Sequence, residues 1–524
     1  MPEIKDLTEN EKYKIIKTIC PNTTECISFG TQSDEIRQLF GEFKIPSNLI
    51  NKEEIKQIGE KSANGVIYRL KYEINKYNAY TILKNAISED ADNLYYEAVV
   101  GWYINSKMTY YPCFVETYDL YKKTNPGDSN TNTNTDFNLD NLTPLFPEST
   151  QKPEDTTPQQ TKTLEEVETE FYNKITTAEK LIETCNESDK ISLHIQYLEN
   201  VSSLFETLIR NKKQNVFSDI CTYLYQVYAP LSMLSDEFTH YDLHTGNVLI
   251  YKVAPNKYTK MIYHYPDNTT VEFNTDGIAK IIDYGRCYFK YNDTINSEKF
   301  IDILEYNMNL YMRKNPTKRK IYSDDCGYTS FSERFKKSFY IDSRTRNKSH
   351  DLRLVKNVND IYQHYTKQTM FNIEYKKEYG TPEVSQNTYI NIGDKIRNVN
   401  DMHAELREML MADDFKNVSK ALEQSSSLYG TIECWLDGLT PMIFTPAPRL
   451  DSDESKKPGI LSRMFRNPTK AIPIPKSLQH LIKTPGLPQI QSLTNSLVQK
   501  QTESVGGKTK TKRNRKRKNK TQKK

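Results

Sequence analysis

The sequence predicts an α+β fold in which a β-rich part precedes a part richer in helix. From Ile55 to Tyr121, short runs of alternating apolar and polar residues predict strands, and a helical stretch from Asn93 to Ile104 lies among them. Beyond residue 200, apolar residues recur with helical periodicity. Helices are predicted there at 219–234, 299–312, 350–362 and 400–424.

The composition fits a soluble, intracellular protein that carries disordered segments. Of the 524 residues, 36% are hydrophobic and 27% are charged. This length holds a domain of about 300 residues together with extensions. No apolar run reaches the ~18 residues of a membrane span, and the first residues lack the order of a signal peptide, so no membrane contact is expected. The eight cysteines include no Cys-x-x-Cys pair, which predicts reduced thiols and no zinc cluster.

Extensions and insertions surround the predicted domain. Residues 1–50 are predicted to be an N-terminal extension that packs on the segment after it, because apolar residues recur there at helical spacing. Residues 122–163 are rich in Asn, Thr, Pro and Gln, and predict a disordered insertion between two strands. A helical stretch at 164–182 leads to the next strand at 191–197, and residues 258–276 predict a hairpin.

Two short motifs give the strongest indication of function. Residues 240–247 read His-Tyr-Asp-Leu-His-Thr-Gly-Asn and run into an apolar segment, and residues 281–285 read Ile-Ile-Asp-Tyr-Gly. Phosphoryl transfer from ATP needs a carboxylate to orient the acceptor hydroxyl, and an amide oxygen and a second carboxylate to hold Mg²⁺. Asp242, Asn247 and Asp283 offer these groups in the required order and spacing. Either motif alone would also fit an ordinary turn.

A glycine-containing turn, a lysine and a glutamate precede these motifs. Gly59 and Gly65 flank a turn between two strand-like runs, where a missing Cβ lets backbone approach phosphate oxygens. The glycine spacing is irregular, so a plain hairpin turn is the alternative. Lys84 ends an apolar run and is predicted to bind the α- and β-phosphates. Glu97 lies in an apolar helix and is its expected partner, with a solvent-facing glutamate as the alternative.

Residues 195–200, at the end of the strand at 191–197, are predicted to receive the adenine ring. Backbone groups of Gln196 and Leu198 are the expected contacts, and Ile195 lies at the gatekeeper position. An edge strand that runs into a helix would contain the same residues. The functional interpretation therefore depends on the position of this segment between Lys84 and the motif at 240–247.

Together these residues resemble the protein-kinase-like superfamily across residues 50–437. The form is similar to the predicted serine/threonine protein kinases of giant DNA viruses, a likeness carried by residues 62–65, 240–247 and 281–286 and by the Gly-Gly-Lys at 506–508. The resemblance implies a bilobal fold, with a small β-rich N-lobe and hinge at 51–200 and a larger, mainly helical C-lobe at 201–437. It also implies ATP and Mg²⁺ as cofactors and a protein substrate with Ser or Thr hydroxyls.

The sequence also departs from that family. Tyr241 replaces the arginine that normally meets a phosphorylated activation loop, and His244 replaces a lysine, as in aminoglycoside phosphotransferases and other small-molecule kinases. A small-molecule kinase and a non-catalytic kinase-like scaffold are therefore the alternatives. His240 and His244 also have the spacing of a helical zinc pair, but Gly246 favours a loop. Asp351 is predicted either to anchor the catalytic loop or to be part of a plain helix cap.

The chain ends in a basic tail at 505–524, which follows a Pro- and Ser-rich linker at 438–504. The tail contains 11 Lys and Arg and no acid, whereas the other 504 residues hold 61 Lys and Arg against 68 Asp and Glu, a formal charge of −7. This asymmetry indicates a tether at Lys508 to Lys524 for nucleic acid or another polyanion. Host cytoplasm, virion or nucleus are the expected locations, and a tail that only confers solubility is the alternative.

Overall fold

The computed structural model describes residues 4, 7–20, 24–27, 29–59, 65–85, 94–123, 138–145, 191–210, 217–290, 320–322, 328–330, 341–343, 346–371, 373–377, 387–391 and 395–447. The helices within these ranges are α1 (Glu9–Ile19), α2 (Ser33–Leu39), α3 (Leu94–Met108), α4 (Leu204–Arg210), α5 (Phe217–Met233), α6 (Arg353–Thr366), α7 (Val399–Met411) and α8 (Asp413–Ser425). The fold is mixed α+β, with a sheet-rich N-terminal region and helices later in the chain, as the sequence predicts.

The strands form several sheets. Those of the first half are β1 (Lys56–Ile58), β2 (Val66–Ile74), β3 (Tyr77–Asn85), β4 (Thr117–Lys123), β5 (Leu142–Pro144), β6 (Ile191–Tyr197), β7 (Val201–Ser203), β8 (Phe238–Thr239), β9 (Val248–Tyr251) and β10 (Lys257–His264). The later strands are β11 (Thr270–Thr275), β12 (Ile278–Ile281), β13 (Tyr288–Phe289), β14 (Lys320–Tyr322), β15 (Tyr328–Ser330), β16 (Ile341–Asp342), β17 (Ile373–Lys377), β18 (Asn387–Asn391), β19 (Ser427–Trp435) and β20 (Ile443–Pro446).

The N-terminal region is built on a six-stranded sheet in the order β1-β2-β3-β6-β4-β5. Its strand β3 alternates strictly between buried and half-buried residues, which is the period of two that a pleated strand imposes. Helix α3 packs on β4 and β6 and is buried along most of its length, because its sequence is apolar on nearly every side. The predicted order of strand, strand, helix and strand is confirmed.

The N-terminal extension packs against this sheet, as predicted. The ring of Phe43 lies 5.1 Å from that of Tyr72 and 4.7 Å from that of Tyr118, measured between centroids. Arg37 on α2 forms an ion pair with the buried Glu116, with 3.0 Å between nitrogen and oxygen. The apolar residues that predicted this packing are all buried: Ile36, Leu39, Phe40 and Phe43.

Two cysteines of the extension differ from the reduced state expected from the sequence. Cys20 and Cys26 form a disulfide, and their Cα atoms lie 5.6 Å apart, within the range that such a bond requires. The expectation of reduced thiols is wrong for this pair, because a spacing of six residues does not reveal that the chain folds back on itself. The other cysteines in the described ranges are buried thiols: Cys113, Cys221, Cys287 and Cys434.

Part of the predicted disordered insertion is ordered. Within 122–163, residues 138–145 form a short 3-10 turn and strand β5, which pairs with β4 at the edge of the sheet. Leu139 and Leu142 are buried against the N-terminal extension. The prediction missed them because it used the average composition of the whole segment, which is polar. The remaining residues from 124 to 137 and from 146 to 190, including the helix predicted at 164–182, lie outside the described residues.

The predicted helices of the later part are confirmed where the structure describes them. Helix α5 covers the first prediction, α6 covers the third, and the prediction at 400–424 corresponds to two helices, α7 and α8, which meet at Ala412. The helix predicted at 299–312 lies outside the described residues. Helices α5 and α7 pack closely, and α5 also contacts β12, so the strand that leads to Asp283 rests on the helical core.

A four-stranded sheet in the order β11-β10-β19-β20 was not predicted as a unit. The predicted hairpin is present as β10 and β11, but β19 runs parallel to β10 from a position about 170 residues later. The predicted boundary at 437 is also wrong, since residues 438–447 form a turn and β20 instead of a linker. Burial of Met442 and Phe444 explains why this segment is ordered despite its prolines.

Candidate functional site

The side chain of Lys84 joins two parts of the chain. Its Nζ lies 2.7 Å from Oε2 of Glu97 on α3 and 2.8 Å from Oδ1 of Asp283, which follows β12. The Glu97 side chain is only 3% exposed, so the carboxylate needs a cation beside it. The predicted pairing of Lys84 with Glu97 is confirmed, and the solvent-facing alternative for Glu97 is wrong.

The charges of this cluster reinforce one another. Burial alone would lower the pKa of Lys84, but the carboxylates of Asp283 and Glu97 raise it above its usual value. Burial likewise opposes ionisation of Asp283, yet the ammonium of Lys84 lowers the pKa of Asp283 to about 2. Both residues therefore remain charged at neutral pH.

The backbone around Asp283 is fixed by hydrogen bonds. Asp283 has φ +72°, a left-handed conformation that few non-glycine residues adopt, and it lies two residues after the end of the buried strand β12. The hydroxyl of Tyr284 donates to the carbonyl of Ile281 at 3.0 Å and accepts from the amide of Val115 at 3.0 Å. The aromatic residue of Asp-Tyr-Gly thus ties this turn to the segment before β4.

The loop at 240–247 is held by its own polar groups. Nδ2 of Asn247 donates to the carbonyl of Asp242 at 3.0 Å, and the amide of Gly246 donates to Nδ1 of His244 at 3.0 Å. The amide of Ile282 donates to the carbonyl of Asn247 at 3.1 Å. Asp242, Asn247 and Asp283, predicted as a group, therefore lie in one site.

Asp351, which lies in a short 3-10 turn just before α6, anchors the loop at 240–247. Its carboxylate accepts hydrogen bonds from the amides of His240 and Tyr241, at 2.8 and 3.0 Å. Tyr241 has φ +62°, and the chain turns sharply at this residue. Because of this turn, the two amides point to the same carboxylate. Burial raises the pKa of Asp351 to about 7 despite these hydrogen bonds. The anchor interpretation is confirmed, whereas Ser349 makes no side-chain cap.

His240 connects the two motifs. Its Nε2 lies 3.0 Å from the carbonyl oxygen of Ile282, and burial lowers its pKa to about 4, so the ring is neutral and donates to that carbonyl. Residues 240–247 form a loop, and His244 contacts Gly246 instead of sharing a ligand position with His240. This geometry supports the role of His240 in ordering the loop.

Two arginines contact Asp242, and no role was predicted for either of them. Nη1 of Arg353 lies 2.5 Å from Oδ1 of Asp242, and Nη1 of Arg286 lies 3.0 Å from Oδ2. Arg286 directly follows Asp-Tyr-Gly, which is a local signal. Arg353 lies 111 residues from Asp242, and only its place two residues after Asp351 points to the loop.

The oxygens of Asn247 and Asp283 fit a magnesium ion. Nδ2 of Asn247 donates to the carbonyl of Asp242, and Oδ1 of Asp283 accepts from Lys84. Among the described residues, none donates a hydrogen bond to the other side-chain oxygens, Oδ1 of Asn247 and Oδ2 of Asp283. Amide and carboxylate oxygens are the ligands that Mg²⁺ prefers, completed by water and phosphate. Within the described ranges no group of three His, Cys, Asp or Glu forms a metal site of protein ligands alone.

Gly59 and Gly65 flank the connection between β1 and β2, next to Lys84. Strands β1 and β2 pair antiparallel, with Gly59 after the first and Gly65 before the second. Gly59 has φ +67° and Gly65 has φ +156°, conformations that favour glycine. Ile67 of β2 pairs with Lys84 of β3, so the hairpin borders the lysine. Residues 60–64 between the glycines lie outside the described residues.

The strand predicted to meet adenine is present, with one correction. The amide of Gln196 donates to the carbonyl of Glu116 at 2.8 Å, so this amide is not available to a ligand. The bond exists because β4 shifts register at residues 117–119 beside β6. Leu198, the other predicted contact, is buried directly after β6.

Residues 24–27 and 29–32, here called the N-terminal brace, connect this segment to both sheets. Oε1 of Glu25 accepts from the amide of Glu199 at 2.9 Å, and the amide of Cys26 donates to the carbonyl of Asn78 beside β3. The ring centroids of Phe29 and of Phe444 on β20 lie 5.5 Å apart. No sequence pattern indicated these contacts, and the pair Phe29 and Phe444 is separated by 415 positions in the chain.

No protein-family model and no curated protein matches this chain. Across the part of the chain that the structure describes, no helix has the length and apolar character needed to cross a membrane. The geometry of the site is therefore the basis on which a function is proposed.

Proposed function

We propose that this protein is an ATP- and Mg²⁺-dependent phosphotransferase of the protein-kinase-like fold, which transfers the γ-phosphoryl group of ATP to Ser or Thr hydroxyls of proteins. The observation that carries this proposal is the position of Lys84, which contacts Glu97 and Asp283 simultaneously. Asp242 and Asn247 come from a loop that is bonded to the residue just before Asp283. A chance polar cluster would not combine these residue types in this order.

Each charged residue has a distinct role in the proposed reaction. Lys84, positioned by Glu97, would bind the α- and β-phosphates, and Asn247 and Asp283 would hold Mg²⁺ through their oxygens. When bound, Mg²⁺ neutralises phosphate charge that develops during transfer. The turn flanked by Gly59 and Gly65 would cover the phosphates.

Asp242 would orient the acceptor. Its carboxylate accepts a hydrogen bond from the hydroxyl of Ser or Thr and takes the proton late in the transfer. The bond between the acceptor oxygen and the γ-phosphorus forms as the bond to the β-phosphate oxygen breaks, and ADP leaves. Arg286 and Arg353 fix the carboxylate, since each contacts one of its oxygens.

The architecture supports the bilobal arrangement. The sheet with α3 would be the small lobe, and the helices from α4 onward, with the four-stranded sheet, would be the large lobe. Adenine would lie against the segment between them, with Leu198 as the backbone contact and Gln196 contributing through its carbonyl. Lys84 from the first part and Asp283 from the second would then face each other across a nucleotide cleft.

A small-molecule acceptor is the second candidate, favoured by His244, whose Nε2 lies 3.8 Å from Oδ1 of Asp242. A non-catalytic scaffold has no need for all of the charged residues that meet here. Purified protein, incubated with Mg²⁺ and ATP labelled at the γ-phosphate, is expected to label Ser or Thr in a panel of proteins. Labelling only of small hydroxyl compounds would support the second candidate, and absence of any transfer would contradict both.

A further inference from the structure

The imidazole of His244 is held in one orientation by the loop that contains it. The amide of Gly246 donates a hydrogen bond to Nδ1 of His244 at 3.0 Å. The ring also lies against Gly246, where a Cβ would come within 2.9 Å of Cε1 and 3.1 Å of Nδ1. The φ of Gly246 is not positive, so the space that the ring occupies, and not the backbone conformation, favours glycine at this position.

This hydrogen bond fixes which ring nitrogen of His244 carries the proton. A ring nitrogen that accepts a hydrogen bond has no hydrogen of its own, so Nδ1 is unprotonated and Nε2 of the neutral ring is the donor. Burial lowers the pKa of His244, which agrees with a neutral ring at pH 7. Among the described residues, none forms a hydrogen bond with Nε2, and the side chain is 32% exposed, so a ligand can reach the ring.

Nε2 of His244 and the carboxylate of Asp242 are separated by a gap that one oxygen atom fits. Nε2 lies 3.8 Å from Oδ1 of Asp242, which is too far for a direct hydrogen bond. An oxygen at about 2.8 Å from each of these two atoms would bridge the gap. Oδ1 accepts a hydrogen bond from Arg353 and, with about two lone pairs, can accept one more. A hydroxyl suits this position because it can donate to Oδ1 and accept from Nε2 at the same time.

We propose that His244 is a substrate-binding residue, whose Nε2–H donates a hydrogen bond to the oxygen of the acceptor hydroxyl while Asp242 accepts the hydrogen of that hydroxyl. This inference rests on the phosphotransferase function proposed above. The hydroxyl oxygen keeps its second lone pair, which forms the bond to the γ-phosphorus as the bond to the β-phosphate oxygen breaks. The hydroxyl proton passes to Asp242, ADP leaves, and His244 keeps its own proton throughout.

Two substitutions of His244 separate its two hydrogen bonds. The side-chain oxygen of asparagine can take the place of Nδ1, so His244→Asn keeps an acceptor for the amide of Gly246 and loses the donor at Nε2. The longer glutamine reaches the position of Nε2, so His244→Gln keeps a donor there and loses the acceptor for Gly246. His364→Asn, at an exposed position on α6, is the matched control.

Binding of a matched pair of ligands to the full-length protein tests whether His244 contacts the hydroxyl. The probes are a peptide that spans the Ser or Thr labelled in the panel described above, and the same peptide with Ala in that place. If only small hydroxyl compounds are labelled, the compound and its deoxy analogue are used. With Mg²⁺ and a non-hydrolysable ATP analogue, His244→Asn is expected to lower the ratio of the two affinities by about threefold or more, and His244→Gln to keep most of it.

Transfer is expected to change in the same order. The kcat/KM for the hydroxyl substrate should fall about tenfold in His244→Asn, less in His244→Gln, and not at all in His364→Asn. An unchanged affinity ratio in His244→Asn would overturn the inference even if turnover falls, because the donor would then act on another group, such as the transferred phosphoryl. A larger loss in His244→Gln than in His244→Asn would also overturn it, since the bond to Gly246 would then be the important one.

The two proposals fail in different ways. Nitrogen-15 NMR of protein labelled at histidine, with His244→Asn to assign the signals, is expected to show a protonated Nε2 and an unprotonated Nδ1. The opposite tautomer would overturn the role of His244 and leave the phosphotransferase standing. Absence of transfer by the wild type to any acceptor would reject the phosphotransferase, and the role of His244 with it.

Discussion

Lys84 receives its position from two carboxylates that the chain brings from opposite directions. Loss of the lysine would leave Glu97 and Asp283 close together with no cation between them, and buried unpaired charge is costly. Loss of Glu97 alone would leave Lys84 paired with Asp283. The two changes are therefore expected to differ in severity.

Lys84→Met is expected to abolish most phosphoryl transfer, and Glu97→Gln to reduce it less, because the glutamine only displaces the lysine. Steady-state kinetics with labelled ATP would measure both, with thermal melts as a check on folding. Wild-type turnover in two well-folded variants would contradict the role assigned to this pair.

Asp283→Ala is expected to remove Mg²⁺-dependent nucleotide binding, because the variant loses the carboxylate that faces the proposed ion. Loss of residues that merely support a metal ligand costs ~10–100-fold in affinity, so loss of a ligand should cost at least as much. Calorimetric titration with Mg·ATP measures the change. Unaltered affinity would reject the assignment of Asp-Tyr-Gly.

Asp242→Asn is expected to leave nucleotide affinity near normal and to lower turnover by about 10²–10⁴-fold, the usual contribution of general-base assistance. The amide keeps the shape of the side chain but loses the charge that Arg286 and Arg353 contact. The control is Asp236→Asn, since Asp236 is exposed and its ion pairs with Arg346 and Lys348 do not involve Asp242. Equal turnover in Asp242→Asn and wild type would exclude Asp242 from the chemistry.

At the scale of elements, the N-terminal brace forms a hydrogen bond with the segment after β6, which would connect the two proposed lobes. Glu25 accepts a hydrogen bond from the amide of Glu199, and burial raises the pKa of Glu25 to about 7. A carboxyl whose pKa is raised by folding contributes stability below its unfolded pKa of ~4.5, and that contribution is lost as pH rises through 7. The brace should therefore weaken between pH 4.5 and 7.

Glu25→Gln is expected to remove this pH dependence, because the amide keeps an acceptor oxygen without a charge. At pH 8 the variant should be more stable than wild type by about 2 kcal/mol, since one pKa unit corresponds to ~1.4 kcal/mol before solvent screening. Urea unfolding at pH 5, 6, 7 and 8 measures the difference. Glu53→Gln, at an exposed position, is the matched control. A parallel pH profile for Glu25→Gln and wild type would count against this role.

At the scale of the whole molecule, charge separates the body from the tail. Residues 505–524, which lie outside the described residues, carry 11 Lys and Arg, whereas the remainder has a formal charge of −7. A tail that neutralises several phosphates would release counterions, so its affinity for nucleic acid should fall steeply with salt. It has no aromatic residue to stack on bases, so binding should not depend on nucleotide sequence.

Deletion of residues 505–524 is expected to abolish retention on nucleic acid at low salt and to leave phosphoryl transfer intact. A tail with the same composition in scrambled order should still bind, and a tail with every Lys and Arg replaced by Gln should not. Filter binding over a range of salt concentrations measures both. Retention after deletion would place the binding surface elsewhere in the chain.

The sequence by itself identified the polar residues that meet in the candidate site. Asp242, Asn247 and Asp283 were predicted as a group because the two motifs that contain them have a fixed local spacing and order. The strands around Lys84 were predicted because apolar and polar residues alternate along them, and the helix of Glu97 was predicted as a longer apolar stretch between two of these strands. The hairpin before Asp283 was also predicted, since a turn and its two strands are contiguous in the chain.

Only the tertiary structure decided how distant segments meet. Arg353 contacts Asp242 across 111 residues, Glu25 contacts the amide of Glu199, and β19 pairs with β10. No periodic pattern or fixed spacing in the sequence predicts these contacts, because the packing of the whole core decides which polar groups face each other. Composition averaged over long segments also concealed β5 and β20, where two or three buried apolar side chains are sufficient to order a short strand on an existing sheet edge.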